Sequence, residues 1–141
     1  MADVTQTAAN VRVNAAGARQ KTVQAGETVA PGMPVYLNSD GKYYKAAASS
    51  TTLADSKGVC ISYGDDTDYI QIVEQGELDM GGTLVLGEGY LVSSTAGGIM
   101  PLGDLSTGEF PHLLGWATTA GNLKLINQST TEFLTGSIAR A

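Results

Sequence analysis

The chain is built on an internal repeat. Gly26-Glu27-Thr28-Val29-Ala30-Pro31-Gly32-Met33-Pro34-Val35-Tyr36-Leu37 returns as Gly81-Gly82-Thr83-Leu84-Val85-Leu86-Gly87-Glu88-Gly89-Tyr90-Leu91-Val92. Glycines coincide at Gly26/Gly81 and Gly32/Gly87, threonines at Thr28/Thr83, and apolar residues at Val29/Leu84, Val35/Tyr90, Tyr36/Leu91 and Leu37/Val92. The ends of the units match as well, Ile70-Gln71-Ile72-Val73-Glu74-Gln75 against Leu123-Lys124-Leu125-Ile126-Asn127-Gln128. A period of roughly fifty residues marks a duplicated supersecondary unit rather than a chain organised around one catalytic centre.

The unit reads as β-structure. Glycine, 18 of 141 residues, runs at nearly twice its usual ~7%, and apolar residues make up 43%. Short apolar runs alternate with turn residues: Pro31-Gly32 before Val35-Tyr36-Leu37, Asp40-Gly41 before Lys42-Tyr43-Tyr44-Lys45-Ala46, and Gly64-Asp65-Asp66-Thr67-Asp68 between Val59-Cys60-Ile61 and Ile70-Gln71-Ile72-Val73. Asp-Gly between two such runs is a hairpin signature. No stretch of the core sustains an apolar period of 3.6. The expected fold is all-β, a small barrel or sandwich made from two tandem β repeats, with an extended N-terminal arm and a C-terminal tail. The divisions are 1–22 for the arm, 23–128 for the β core (repeat units about 23–79 and 80–128) and 129–141 for the tail.

Charge and composition exclude several function classes. The net charge is −6 and the eight Lys and Arg are scattered, which argues against a nucleic-acid groove. No apolar run reaches the ~18 residues of a membrane span. The N-terminus has neither the basic nor the hydrophobic region of a secretory signal, so synthesis in a cytoplasm is expected. One cysteine, Cys60, permits no intramolecular disulfide.

Candidate chemistry is sparse. His112, the single histidine, has no companion ligand and reads as a partly exposed strand residue. Cys60, between Val59 and Ile61, reads as a buried, inert thiol. Asp65, Asp66 and Asp68 have no EF-hand spacing and read as turn residues bonding to nearby backbone. Trp116, inside an apolar run, reads as core. No cofactor or metal is expected, and no arrangement of His or paired carboxylates supports an enzyme.

Several segments together resemble the head decoration (capsid cement) proteins of tailed bacteriophages: Ala25-Gly26-Glu27-Thr28-Val29, Pro31-Gly32-Met33-Pro34-Val35-Tyr36, Asp40-Gly41-Lys42-Tyr43-Tyr44-Lys45-Ala46, Gly58-Val59-Cys60-Ile61 and Val73-Glu74-Gln75-Gly76. The resemblance spans about residues 23–128. It implies a structural virion protein that binds the outer surface of a phage capsid, has the major capsid protein as partner, acts as a homo-oligomer (a trimer favoured), and resides on the virion. The two ends of the chain are the expected contact segments. Val11, Arg12 and Val13 would add a strand to a neighbour, while Phe133, Leu134 and Ile138 would fill an apolar groove and Arg140 would pair with an acidic rim. The alternative is a head- or tail-fibre base that binds host-surface glycan, which would expose aromatic residues around Tyr43, Tyr44 and Trp116.

Overall fold

The computed structural model describes residues 3–13 and 18–129. The strands are β1 (Arg12–Val13), β2 (Arg19–Gln24), β3 (Pro34–Leu37), β4 (Tyr43–Lys45), β5 (Ser56–Cys60), β6 (Tyr69–Asp79), β7 (Gly89–Val92), β8 (Ile99–Pro101), β9 (His112–Ala117) and β10 (Asn122–Ser129). One short helix, α1 (Thr51–Ala54), and two 3-10 turns, Ala8–Asn10 and Leu102–Asp104, interrupt them. The fold is all-β, a curled antiparallel sheet of ten strands.

The strand order β4-β3-β5-β6-β10-β9-β7-β8 places one unit, β3–β6, beside a second, β7–β10, with β6 and β10 paired at the seam. The registers repeat. Pro34 faces Val59 and Val35 faces Gly58, then the pairing slips so that Tyr36 faces Ser56. Likewise Gly89 faces Trp116 and Tyr90 faces Gly115, then the slip brings Leu91 opposite Leu113. The hairpins agree too, with Tyr36 against Tyr44 and Leu91 against Met100. A bulge at the same point of both units bends the strand and strengthens its twist, which curls the sheet. Glycine is required at both bulges. A Cβ on Gly58 would lie 2.7 Å from the Val73 carbonyl oxygen, and one on Gly115 would overlap the carbonyl of Lys124.

Two cores follow from the alternation of side chains along each strand. In the first unit, Val35, Cys60, Ile70 and Ile72 point to one side and join Val23, Ala25, Val29 and Tyr43. Their neighbours Tyr36, Val59 and Val73 point to the other side and join Ala46 in the main core. The second unit contributes Leu84, Tyr90, Val92, Ile99, Leu114, Ala117, Leu123 and Leu125 to that main core. The first unit is therefore buried on both faces, and the second unit packs onto one of them.

The N-terminal residues belong to this sheet. β2 begins at Arg19, ahead of the expected boundary at residue 23, and pairs with β6 from Arg19/Gln75 to Gln24/Tyr69. Residues expected to add a strand to a neighbour instead pair within the chain, Arg12 with Asp79 and Val13 with Leu78 of β6. Leu78 and Asp79 are thus paired on both sides, since they also face Leu123 and Asn122 of β10. The physical reason is the length of β6: an eleven-residue strand with an open edge leaves a row of unpaired backbone groups. Upstream, the Val4 N–H donates to the Ile99 carbonyl (3.0 Å), the Thr7 N–H to the Gly81 carbonyl (2.6 Å) and Gln6 Nε2 to the Met80 carbonyl (2.8 Å). Val11 is buried in the main core. Phe133, Leu134, Ile138 and Arg140 lie outside the described residues.

The Ala-rich loop after β4 carries the short helix α1. Ser50 caps α1 within it, its hydroxyl accepting from the Leu53 N–H at 3.1 Å.

Candidate contact face

The equivalence of the two units exposes a difference between them. In the first unit Pro34, Val59 and Val73 stand side by side across β3, β5 and β6, all buried, Val59 and Val73 at 0% exposure. In the second unit the residues paired in the same way are Gly89, Trp116 and Lys124, so the pairing sets Lys124 where the sequence match had put Ile126 opposite Val73. Trp116 is 44% exposed and Lys124 is exposed. The first unit's row is covered by the second unit. Within the described residues, no further β layer covers the second unit's row.

This outer face is apolar at its centre. A Cβ on Gly89 would touch Leu113 Cδ1 at 3.5 Å and Leu102 Cδ2 at 3.7 Å, so both leucines stand over Gly89, next to Trp116. Leu102, in the 3-10 turn after β8, is 51% exposed. Beside Trp116 the Gly87 N–H donates to the Ala117 carbonyl (2.9 Å), and the nearby Val85 and Leu86 are exposed. Polar residues border the row on its far side. Lys124 faces Glu77 across β10 and β6, and Glu77 accepts a short hydrogen bond from the Thr118 hydroxyl. An exposed aromatic over apolar neighbours, edged by charge, is the composition of a protein contact surface.

Trp116 is therefore a surface residue, where its apolar neighbours led to a core assignment. The pattern of apolar residues does not separate the two units, because Ile70-Gln71-Ile72-Val73 and Leu123-Lys124-Leu125-Ile126 alternate alike. His112 is corrected in the opposite direction. It is buried, at the start of β9 opposite Ser129. Tyr43 is buried in the second core and Tyr44 packs against the main one. Of the aromatics expected to be exposed, only Trp116 stands in solvent.

The remaining polar groups are occupied with structure. Cys60 is buried, its thiol donating to the Ser62 carbonyl at 2.9 Å, and burial raises its pKa. In the β5–β6 turn, Asp65 Oδ1 accepts from the Thr28 hydroxyl (3.0 Å) and Asp68 Oδ2 from the Asp65 N–H (2.9 Å). Asp66 lies 3.6 Å from Lys42 Nζ. At the β3–β4 hairpin the Tyr44 hydroxyl donates to Asp40 Oδ2 at 2.6 Å. That bond, with help from the Lys42 N–H, holds the Asp40 carboxyl below its ordinary pKa and raises that of Tyr44. Among the described residues no three His, Cys, Asp or Glu side chains group closely enough to hold a metal ion, and no helix is long and apolar enough to cross a membrane. The chain matches no protein-family model and no curated protein sequence.

Proposed function

We propose that this chain is a structural contact protein of a virion, one that binds the outer surface of a tailed-phage capsid as a homo-oligomer and stabilises it. The observation that carries the reading is the apolar outer face of the second unit, left open at positions that the first unit buries. The tandem β unit and the resemblance of residues 23–128 to head decoration proteins support it. The major capsid protein is the partner, with Phe133, Leu134, Ile138 and Arg140 of the C-terminal tail as contact residues. The N-terminal residues Val11, Arg12 and Val13 support the fold in this reading, because their backbone already pairs with β6. The test is co-sedimentation of the purified protein with expanded, DNA-free heads of its phage. Saturable pelleting that weakens on removal of residues 130–141 is expected, and no pelleting at any concentration refutes the reading.

A second reading has its own observation. Tyr63 and Tyr69 are 65% and 72% exposed at the two ends of the β5–β6 turn. Thr28, Val29, Tyr63, Gly64, Asp65 and Asp68 line a shallow depression there. Aromatic faces beside carboxylates suit a sugar ring with its hydroxyls, the chemistry of a fibre-base module binding host glycan. A glycan array separates the two readings: binding lost in Tyr63→Ala favours this one, and silence across the array removes it.

A further inference from the structure

We propose that the outer edge of β2, over Arg19 to Thr22, accepts an extended acidic segment of another protein as an added strand. The proposal stands on the first unit alone and does not require the capsid reading.

The backbone supplies the docking groups. Gln71 of β6 turns both of its backbone groups toward the β5 side: its carbonyl accepts from the Ile61 N–H (2.9 Å) and its N–H donates to Ser62 Oγ (3.0 Å). Thr22 stands opposite Gln71, so the Thr22 N–H and C=O point away from β6. Gln20, two residues back along the same strand, points the same way. β2 pairs with β6 alone, and among the described residues no backbone group reaches its other side over this stretch. Arg19, Gln20, Lys21 and Thr22 are all exposed.

Both ends of the sheet, by contrast, are closed. At β4, Ala25 bridges to Tyr43, the Gly26 N–H donates to the Tyr43 carbonyl (2.8 Å), and the Glu27 carboxylate accepts from the Lys45 N–H (2.9 Å). At β8, the Val4 N–H donates to the Ile99 carbonyl (3.0 Å), and Pro101 has no N–H to offer. The same approach of Tyr43 to Ala25 ends the free edge of β2 beyond Thr22. What stays open is a short exposed edge with its hydrogen-bonding groups turned outward, the template for strand addition.

Charge selects the occupant. Arg19 and Lys21 alternate with Gln20 and Thr22, so the two cations share a face. Neither makes an ion pair among the described residues. Glu74, the extra residue of the bulge opposite, already has a partner. The same edge of a second copy is repelled: antiparallel pairing over this stretch sets Lys21 against Lys21, or Arg19 against Lys21, and like charges directly opposite destabilise. A strand with carboxylates at alternate positions sets them opposite Arg19 and Lys21 instead. The cations that forbid self-pairing thus favour an acidic partner.

The test is amide hydrogen exchange of the full chain, read by NMR, with a short end-blocked peptide alternating glutamate with threonine. In the free protein the Gln20 and Thr22 amides should exchange fast, while those of Lys21 and Val23, turned to β6, are slow. With the peptide at about ten times its dissociation constant, exchange at Gln20 and Thr22 should slow about tenfold, because it then runs through the free fraction. The same peptide with lysine in place of glutamate should leave them fast. Arg19→Glu combined with Lys21→Glu should reverse the preference while the Val23 amide stays slow, a swap that a damaged fold does not produce. A Thr22 amide already slow in the free chain, covered by the C-terminal tail or by a second copy, overturns the proposal. So does a glutamate peptide that leaves exchange unchanged, or one whose binding ignores the charge reversal. Phage heads play no part in the measurement, so its failure and a failure of co-sedimentation are told apart.

Discussion

Gly115 gives the sharpest test of how the two units are held. It sits at the bulge of β9, facing Leu125 of β10 and Tyr90 of β7. A methyl group there would overlap the Lys124 carbonyl, with its carbon at 2.7 Å and Leu125 Cα at 3.2 Å. Every one of these atoms is backbone, in a strand paired on both sides, so none can swing away as a side chain would. β9 and β10 must part instead, and overpacking of this kind costs about 1–3 kcal/mol. For a chain of this size that lowers the melting temperature by roughly 4–12 °C. Gly58→Ala, the same position of the first unit, should cost less, about 1 kcal/mol, because its contacts begin at 2.7 Å with one of them a flexible Ile72 methyl. Gly103→Ala is the control: nothing lies within 4 Å of its Cβ, so its effect should stay within about 0.5 kcal/mol. Thermal unfolding followed by far-UV circular dichroism ranks the three. If Gly115→Ala melts with Gly103→Ala, the close approach of β9 and β10 is wrong, and the shared bulge with it.

Four further outcomes are expected. Deleting residues 1–13 should lower stability by several kcal/mol, since it removes the buried Val11, whose burial alone contributes about 1.5–3 kcal/mol, and unpairs one edge of β6; an unchanged melting curve would show that the segment is a free arm after all. Thr67 is the one described non-glycine residue with positive φ (74°), so Thr67→Asn should stabilise by roughly 0.5–1 kcal/mol, read as a raised urea midpoint; a lowered midpoint would contradict the strain. Asp40 has a folded pKa below its ordinary value, so its contribution is present above the ordinary carboxylate range and is lost as pH falls through the depressed value; an NMR titration of Tyr44→Phe should find the Asp40 pKa moved back up, and no movement would remove the Tyr44 hydrogen bond as the cause. Cys60, buried and raised in pKa, should react with a thiol reagent at pH 8 only as fast as the protein unfolds, and prompt stoichiometric labelling of the native chain would place it at the surface.

What was legible in the residues is the local and the repeated. Glycine and Asp-Gly punctuation, short apolar runs and matching spacings in two segments specify strands, turns and their order, because backbone geometry at a turn depends on the residues in it. Gly41, with φ of 84°, sits where Asp40-Gly41 announced a hairpin. Which faces are covered follows from the packing of distant segments. Alternation along a strand distinguishes two sides, but the layer that buries one of them arrives from far along the chain. Val59 and Trp116 occupy the same place in their units, and one is core while the other is surface because a second unit lies over the first and none lies over the second. The partner of Arg12 and Val13 was equally beyond local reading, since a two-residue strand carries no mark of whose edge it will meet. The open edge of β6, created by its own length, supplied the answer within the chain.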